Sequence, residues 1–282
     1  MVSAALPFRK GSMTWRINME PVIALGGGRA LLLQVLHPLV AAGVDQHSSF
    51  AQDPFRRGFR TADMMLKLAF GDEATSQRQS VVLRRMHQRI KGVSADGVPY
   101  DAMDPSLLVW VWATLVEVSL LLYERAVEPL SEAERERYYE EQKRIAYATG
   151  VPEGACPESY GAFTEYVDGM IDTELRATPT ARLVAYAGRH PPLPWPLSFV
   201  AGTIGTFFTA ALLPERFRRE LGYSWSPSKE RLLRLFFFVS RVIVKLTPRS
   251  FRHLQNRYLI GRRAPLGWWR NRPIRVPDEL AS

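Results

Sequence analysis

The sequence predicts an all-α protein, a single multi-helix bundle, and three observations support this. Apolar residues recur at helical spacing along most of the chain. Many of these segments begin at residues that favour helix N-termini. Alternating strand patterns are nearly absent, and we expect Asp96-Gly97 to lie in a short polar loop between helices. Hydrophobic residues form 46% and charged residues 23% of the chain, as is usual for globular proteins.

N-cap signals place the helices of the first half. An aspartate followed by proline predicts a helix at 53–70 and a long apolar helix at 104–127. A Gly-Asp pair at 71–72 ends the first of these, and a further helix is expected at about 75–91.

Capping residues also mark helix starts in the second half. Ser131 and Glu134 have capping-box spacing and predict a polar helix that ends at Gly150. We expect further helices to begin at Pro157, at Pro214 and at Ser226-Pro227.

The positive charge is concentrated at the C-terminal end. Residues 215–282 contain 16 Lys or Arg and 5 Asp or Glu, whereas the preceding residues contain 21 and 23. A basic segment of this kind suggests a polyanionic surface, either phospholipid head groups or nucleic acid. We divide the chain into a helical core at 1–223 and basic C-terminal helices at 224–282, packed on the same domain.

Two apolar stretches raise the question of membrane contact. Residues 193–214 contain no charge and nearly reach the length of a bilayer span, but their prolines and glycines favour a buried helix that lines an apolar cavity. Residues 231–246 place four cations on one narrow helical face. This pattern fits a helix in an anionic membrane surface and a core helix with one solvated stripe equally well. The four cations are Arg231, Arg234, Arg241 and Lys245.

The N-terminal residues and the cysteine content bear on location. Residues 1–11 lack the apolar core and the cleavage site of a signal peptide. Cys156 is the single cysteine, so an internal disulfide is impossible, and we expect a buried thiol. These features favour a cytoplasmic protein and leave peripheral attachment to a membrane open.

Several common site types are missing from the sequence. Five histidines occur without a His-Glu-x-x-His motif or a cysteine pair, which disfavours a conventional zinc site. There is no Gly-x-Ser-x-Gly motif and no Walker loop. The glycines at 26–28 lack the spacing of a nucleotide-binding motif, so we expect them to allow close packing or a tight turn.

His87 lies beside apolar residues within the helix expected at 75–91. Leu83 lies one turn before it on the same side of that helix, Met86 is its neighbour in sequence, and Arg84 and Arg85 are nearby. One interpretation is a hydrogen-bonded core histidine. The other is a haem site, which needs an imidazole for iron, apolar walls for the ring and arginines for the propionates.

A basic cluster lies on the preceding predicted helix. Arg57, Arg60 and Thr61 project from one face, which is either a solvated surface or a pocket that polarises bound dioxygen or a peroxide. His47 could donate a distal hydrogen bond or cap a helix end. For His37, which precedes a proline, a structural role is favoured.

A series of short blocks occurs in the order found in one family. The chain resembles the family of rubber oxygenase (latex-clearing protein) and the fungal endoplasmic-reticulum oxygenase of mycophenolic acid biosynthesis, over roughly residues 15–223. The blocks that carry this resemblance are residues 30–34, His37-Pro38, Gly43, His47-Ser48, Asp53-Pro54, Arg60-Thr61, residues 70–72, His87, Gly92 and residues 97–102, followed by weaker matches at Tyr138-Tyr139, residues 150–152, Leu213-Pro214 and Arg218.

The resemblance implies a helical fold around haem b, with His87 as the proximal iron ligand. It also implies a distal Arg-x-x-Lys-Thr segment that aligns with residues 57–61, where Arg60 replaces the lysine. Arginine stays protonated and does not readily ligate iron. We therefore expect an open site, water or His47 on the distal side, and Asp45 is a guess for the family's assisting acid.

The sequence thus predicts a haem-dependent oxygenase. Dioxygen and an apolar, isoprenoid- or lipid-like substrate are the expected partners, with substrate approaching through residues 193–214. The alternative is a non-catalytic haem- or lipid-binding protein at a membrane surface. Nucleic-acid binding is disfavoured because the basic segment carries no recognised motif.

Overall fold

A computed structural model of the protein describes residues 6–47 and 54–260, with the side chains of all of these except 54–59. This part of the chain forms α-helices almost throughout, together with one 3₁₀ helix and one two-stranded sheet. The prediction of an all-α fold is confirmed for the described residues, with the small sheet as an addition.

The elements follow one another with short connections. The first half contains α1 (Met13–Asn18), a 3₁₀ helix (Pro21–Gly26), α2 (Gly27–Leu36), α3 (Pro38–His47), α4 (Pro54–Phe70), α5 (Glu73–His87), β1 (Lys91–Val93) and β2 (Pro99–Asp101). The second half contains α6 (Pro105–Ala126), α7 (Glu132–Thr149), α8 (Tyr160–Thr173), α9 (Pro179–Arg189), α10 (Leu197–Leu212), α11 (Glu215–Glu220), α12 (Pro227–Leu246), α13 (Arg249–Arg252) and α14 (Leu254–Ile260).

Helix α6 is the centre of the molecule. It contacts the 3₁₀ helix, α2, α7, α8 and α12, and it buries Trp110 and Trp112. By length and composition alone α6 could cross a membrane, but 72% of its most apolar window is buried by other helices. The 3₁₀ helix with α2 and α3 meets the same criterion only as one span bent by 101°. Such burial is typical of a core helix.

The glycines at the start of α2 allow close helix packing, as predicted. A Cβ atom on Gly26 would lie 2.5 Å from a methyl group of Val118 in α6. A Cβ atom on Gly28 would overlap the side chain of Thr209 in α10. The backbone of α2 therefore approaches both neighbouring helices more closely than any larger residue would permit.

The segment after α5 differs from the prediction. Helix α5 ends at His87, and residues 91–93 pair antiparallel with residues 99–101. Asp96-Gly97 lies in the turn of this hairpin, and Gly97 adopts a φ of 77°. The pair lies in a short loop as expected, but this loop joins two strands that were not predicted, because strands of only three residues show no alternating pattern.

Helix α10 also differs from the prediction of a buried helix at 193–214. Its C-terminal half is buried through Phe208 and Leu212. Its N-terminal half is exposed, since Phe199 is 68% exposed and Trp195 in the preceding loop is 84% exposed. The expectation of burial was thus wrong for the first half of this segment.

The C-terminal helices pack on the rest of the chain. Helix α12 contacts α6, and α14 contacts α4. Arg252 and His253 both bond the carboxylate of Glu20, which precedes the 3₁₀ helix. The division of the chain at residues 223 and 224 remains a prediction.

Candidate functional site

The candidate site lies at the end of α5, where three elements meet. The C-terminal end of α3 packs against the chain that follows His87, since a Cβ atom on Gly43 would lie 3.4 Å from Ile90. The Gln46 amide donates to the carbonyl oxygen of Val93 at 2.8 Å and accepts from the Tyr100 hydroxyl at 2.8 Å. The hairpin of β1 and β2 thus fixes the end of α3 beside α5.

His47 is exposed at the end of α3. Its Nε2 atom lies 2.9 Å from the carbonyl oxygen of Lys91, four residues after His87. A carbonyl oxygen only accepts, so Nε2 carries the hydrogen, and in the neutral ring Nδ1 is then the acceptor. The edge of the His47 ring also faces Tyr100, with ring centroids 6.3 Å apart. The structure therefore brings His47 to the same end of the molecule as His87.

His87 is half-buried in the last turn of α5. Its Nδ1 atom is buried. Leu83 is buried one turn earlier on the same side of the helix, whereas Val82 and Met86 are exposed about 100–140° around the helix from His87. The imidazole therefore lies on the side of α5 that carries the buried Leu83.

Helix α4 carries the predicted basic cluster and runs back along α5. The two helices contact each other across the turn at residues 71–72. Residues that are equally far from this turn lie side by side on the two helices. Arg60 and Thr61 therefore lie beside residues 82–83 of α5, about one turn before His87. Both side chains are exposed. The side chain of Arg57 lies outside the described residues.

The two arginines predicted to hold propionates have different surroundings. Arg84 donates to the carbonyl oxygens of Ala148 at 3.0 Å and Tyr147 at 2.5 Å, and so caps the C-terminal end of α7. Arg85 is exposed and lies about 160° around α5 from His87. The structure therefore does not place either guanidinium on the His87 face, and their predicted role stays a prediction.

The sequence did not reveal a cavity of about 450 Å³ beside His37. It lies between the end of α2, the start of α6 and α8, and it includes Tyr166, Met170 and Glu174. Burial lowers the pKa of His37, so the imidazole is neutral at pH 7, and its Nδ1 has no hydrogen-bond partner among the described residues. The sequence signal that could have indicated this cavity was the His-Pro pair that follows an apolar helix.

Other candidate groups are accounted for by the structure. Cys156 is buried, and burial raises the pKa of its thiol to about 11, in keeping with the expected buried thiol. Among the described residues, no group of three or more His, Cys, Asp or Glu side chains could hold a metal ion. A haem iron needs one such protein ligand, so this result does not bear on His87.

Comparison with known families connects this geometry to a chemistry. Residues 15–242 match the family described as ER-bound oxygenase mpaB/B'/rubber oxygenase, catalytic domain. The chain belongs to this family. The match covers most of the chain. It includes α4, α5 and the turn between them, and it extends into α12. An oxygenase-type function follows from this membership.

The relatives found among curated proteins are uncharacterised mycobacterial proteins. One from Mycobacterium tuberculosis and one from Mycobacterium bovis are each 27% identical to this chain over 222 residues. The alignment covers 77% of this chain and 87% of each relative. No solved structure matches the chain at a significant level.

Proposed function

We propose that this protein is a haem-dependent oxygenase that holds haem iron through His87 and acts with dioxygen on an apolar substrate. The observation that carries the proposal is the position of His87 at the end of α5: it is half-buried, Leu83 is buried one turn before it, and the end of α3 packs against the residues that follow it. Membership of an oxygenase family supplies the reaction class.

The residues around His87 include apolar groups that suit a haem ring. Leu83 is buried one turn earlier on the same side of α5, and Ile90 follows three residues later and packs against Gly43. Apolar walls of this kind suit the hydrocarbon part of a haem. Counting outward from the turn between α4 and α5, residues 55–58 of α4 lie level with His87. Their side chains lie outside the described residues.

The polar groups near His87 have roles that follow from their chemistry. Bound haem would supply iron-centred activation of dioxygen. The guanidinium of Arg60 can donate hydrogen bonds to dioxygen, but it has no lone pair to supply to iron. The Thr61 hydroxyl can donate or accept a hydrogen bond. His47 offers Nδ1 as a hydrogen-bond acceptor while Nε2 stays bonded to Lys91.

An apolar substrate is supported by the exposed side chains of Trp195 and Phe199, in the segment through which the sequence predicts that substrate approaches. Such a surface offers no directional recognition for a polar substrate, but it suits an extended hydrocarbon such as an isoprenoid or a lipid chain. The choice between double-bond cleavage and hydroxylation depends on how that chain is placed.

The test compares His87→Ala with His190→Ala in protein expressed with added haem precursor. His190 is exposed and stacks on Tyr186 in another helix, so it is a matched control. We expect a Soret band and one haem per chain by pyridine haemochrome in the wild type and in His190→Ala. In His87→Ala, haem affinity should fall by more than the 10- to 100-fold that loss of an outer-shell partner causes.

Three results would count against the proposal. Wild-type protein that takes up no haem even on reconstitution would exclude the cofactor. An unchanged spectrum in His87→Ala, with circular dichroism showing an intact fold, would move the ligand to His47 or His37. Haem-loaded, reduced protein that consumes no oxygen with isoprenoid or fatty-acyl substrates would favour the alternative of a non-catalytic haem- or lipid-binding protein.

A further inference from the structure

Helix α12 is apolar on the side that faces away from the protein. Seven large hydrophobic side chains are between 41% and 79% exposed, and we call them the outer face of α12. They are Leu232, Leu235, Phe238, Val239, Val242, Ile243 and Leu246. Scattered exposed hydrophobic residues are normal, but seven on one helix need a partner.

The helix has a separate inner side that holds it to the core. Leu233 and Phe237 are buried, and Phe236 packs edge-on against Phe208 of α10 with ring centroids 4.8 Å apart. The Ser240 hydroxyl donates to the carbonyl oxygen of Ala126 at 2.9 Å. In a helical projection at 100° per residue, the side chains of the outer face span an arc of about 140° around the helix axis. The centre of this arc lies about 140° from the centre of the inner side. The outer face is therefore not needed for folding.

Cations flank the outer face along one edge. On the same helical projection four of them occupy an arc of about 80° that begins beyond the inner side and overlaps one edge of the outer face: Arg231, Arg234, Arg241 and Lys245. No salt bridge joins these four to an acid within the described part of the chain, which includes all of α12. Residues 227–260 contain eight basic side chains and one acidic side chain.

The pattern of charge distinguishes between occupants of this surface. A second copy related by a two-fold axis perpendicular to α12 would bring Arg231 opposite Lys245 and Arg234 opposite Arg241, and an axis parallel to α12 would bring each cation opposite its own copy. Like charges in these positions repel. The C-terminal residues 261–282 are also basic, with five Arg against two acids, so they do not complement the cationic edge either.

We propose that α12 lies on an anionic lipid surface, with its outer face in the acyl-chain boundary and its cations among the head groups. A helix with an apolar face and flanking cations binds membranes by burying the former and attracting anionic lipid with the latter. The apolar surface continues after α12 through Phe251 and Leu254, which are 72% and 62% exposed. This proposal does not depend on haem or on turnover.

The test is flotation of the full-length protein with extruded vesicles at 150 mM NaCl. We expect the wild type to float with vesicles of 70% phosphatidylcholine and 30% phosphatidylglycerol, and only weakly with pure phosphatidylcholine. Leu235→Asp/Leu246→Asp should weaken binding at least a hundredfold, since each buried leucine contributes about a factor of ten or more. Arg234→Gln/Lys245→Gln should weaken it about 30-fold, or about fivefold per charge.

Matched controls lie on other surfaces. Val93→Asp/Val98→Asp changes two exposed apolar residues of the hairpin, and Arg78→Gln/Arg137→Gln removes two exposed charges elsewhere. Both controls should float like the wild type, and circular dichroism verifies that every variant keeps its helices.

Three outcomes would overturn the proposal. The wild type could fail to float with the anionic vesicles even at 50 mM NaCl. The outer-face variant could bind as well as the wild type, which would assign lipid contact to another segment. Sedimentation velocity could show a dimer that the outer-face variant dissociates, without vesicle binding, which would make the outer face an interface between two copies.

Discussion

Replacing Glu20 with Gln should loosen the C-terminal helices from the core. Glu20 is 2% exposed, and its carboxylate accepts from Arg252 at 2.6 and 3.0 Å and from His253 at 3.0 Å. Breaking a buried ion pair costs about 3–5 kcal/mol, because it leaves the other charge uncompensated. Arg252 keeps bonds to the carbonyl oxygens of Val244 and Thr247, so we expect the lower end, about 3 kcal/mol.

The assay is urea unfolding followed by circular dichroism, with the exposed Glu165→Gln as control. Thermal unfolding is measured in parallel. Each kcal/mol of lost stability lowers the thermal midpoint by about 2–4 °C, so the midpoint of Glu20→Gln should fall by roughly 6–12 °C. Trypsin should also cleave within residues 249–257 faster in this variant, because the helices detach locally before the core unfolds. A loss below about 1 kcal/mol with unchanged cleavage would refute the assigned role.

The same carboxylate gives a pH dependence with a definite sign. Burial acts to raise the pKa of Glu20, but hydrogen bonds from His253 and Arg252 and the charge of Arg252 lower it below 4.5. A carboxyl whose pKa is lower in the folded state stabilises the fold above its ordinary pKa, and that stabilisation is lost as pH falls through the folded-state value. The free energy of unfolding should therefore fall more steeply below pH 4.5 in the wild type than in Glu20→Gln.

Two further predictions concern packing and reactivity. Gly28→Ala should destabilise the protein by about 1–3 kcal/mol in urea unfolding, because its methyl group would overlap Thr209. In Gly27→Ala the added methyl meets no atom within 4 Å in the described structure, so this variant should be neutral or slightly stabilised. Equal losses of stability in Gly28→Ala and Gly27→Ala would contradict the packing argument. Since burial raises the pKa of Cys156 to about 11, its thiol should react with Ellman's reagent at pH 8 only when the protein is unfolded. Equally fast reaction in native and urea-unfolded protein would show that the thiol is accessible.

The start of a helix could be predicted from the sequence where a side chain close in sequence caps it. Ser131 and Glu134 form both bonds of the expected capping box, and α12 begins at Pro227 as its Ser-Pro pair indicated. The helix expected at Pro157 begins instead at Tyr160, because Ser159 accepts from the Ala162 amide and caps it there. Helix α5 ends at His87 because the following residues pair with β2, which no local signal in α5 could show.

The candidate site was harder to predict because its geometry is tertiary. Helical spacing placed Leu83 and His87 on adjoining faces correctly, since both belong to one helix. It could not show that Arg84 caps α7, because that contact joins residues more than 60 positions apart. The cavity beside His37 likewise forms only when α2, α6 and α8 meet.

The two proposals are connected through α4. This helix carries the exposed side chains of Arg60 and Thr61, and it contacts α14. Residues 247–253 join α12 to α14, and seven residues span at most about 25 Å. An apolar substrate partitions into lipid, so a helix held on the membrane would keep α4 within a short distance of the phase where that substrate is concentrated. Vesicle binding should then lower the apparent KM for such a substrate without changing kcat, since lipid changes the local substrate concentration and leaves the groups around His87 untouched.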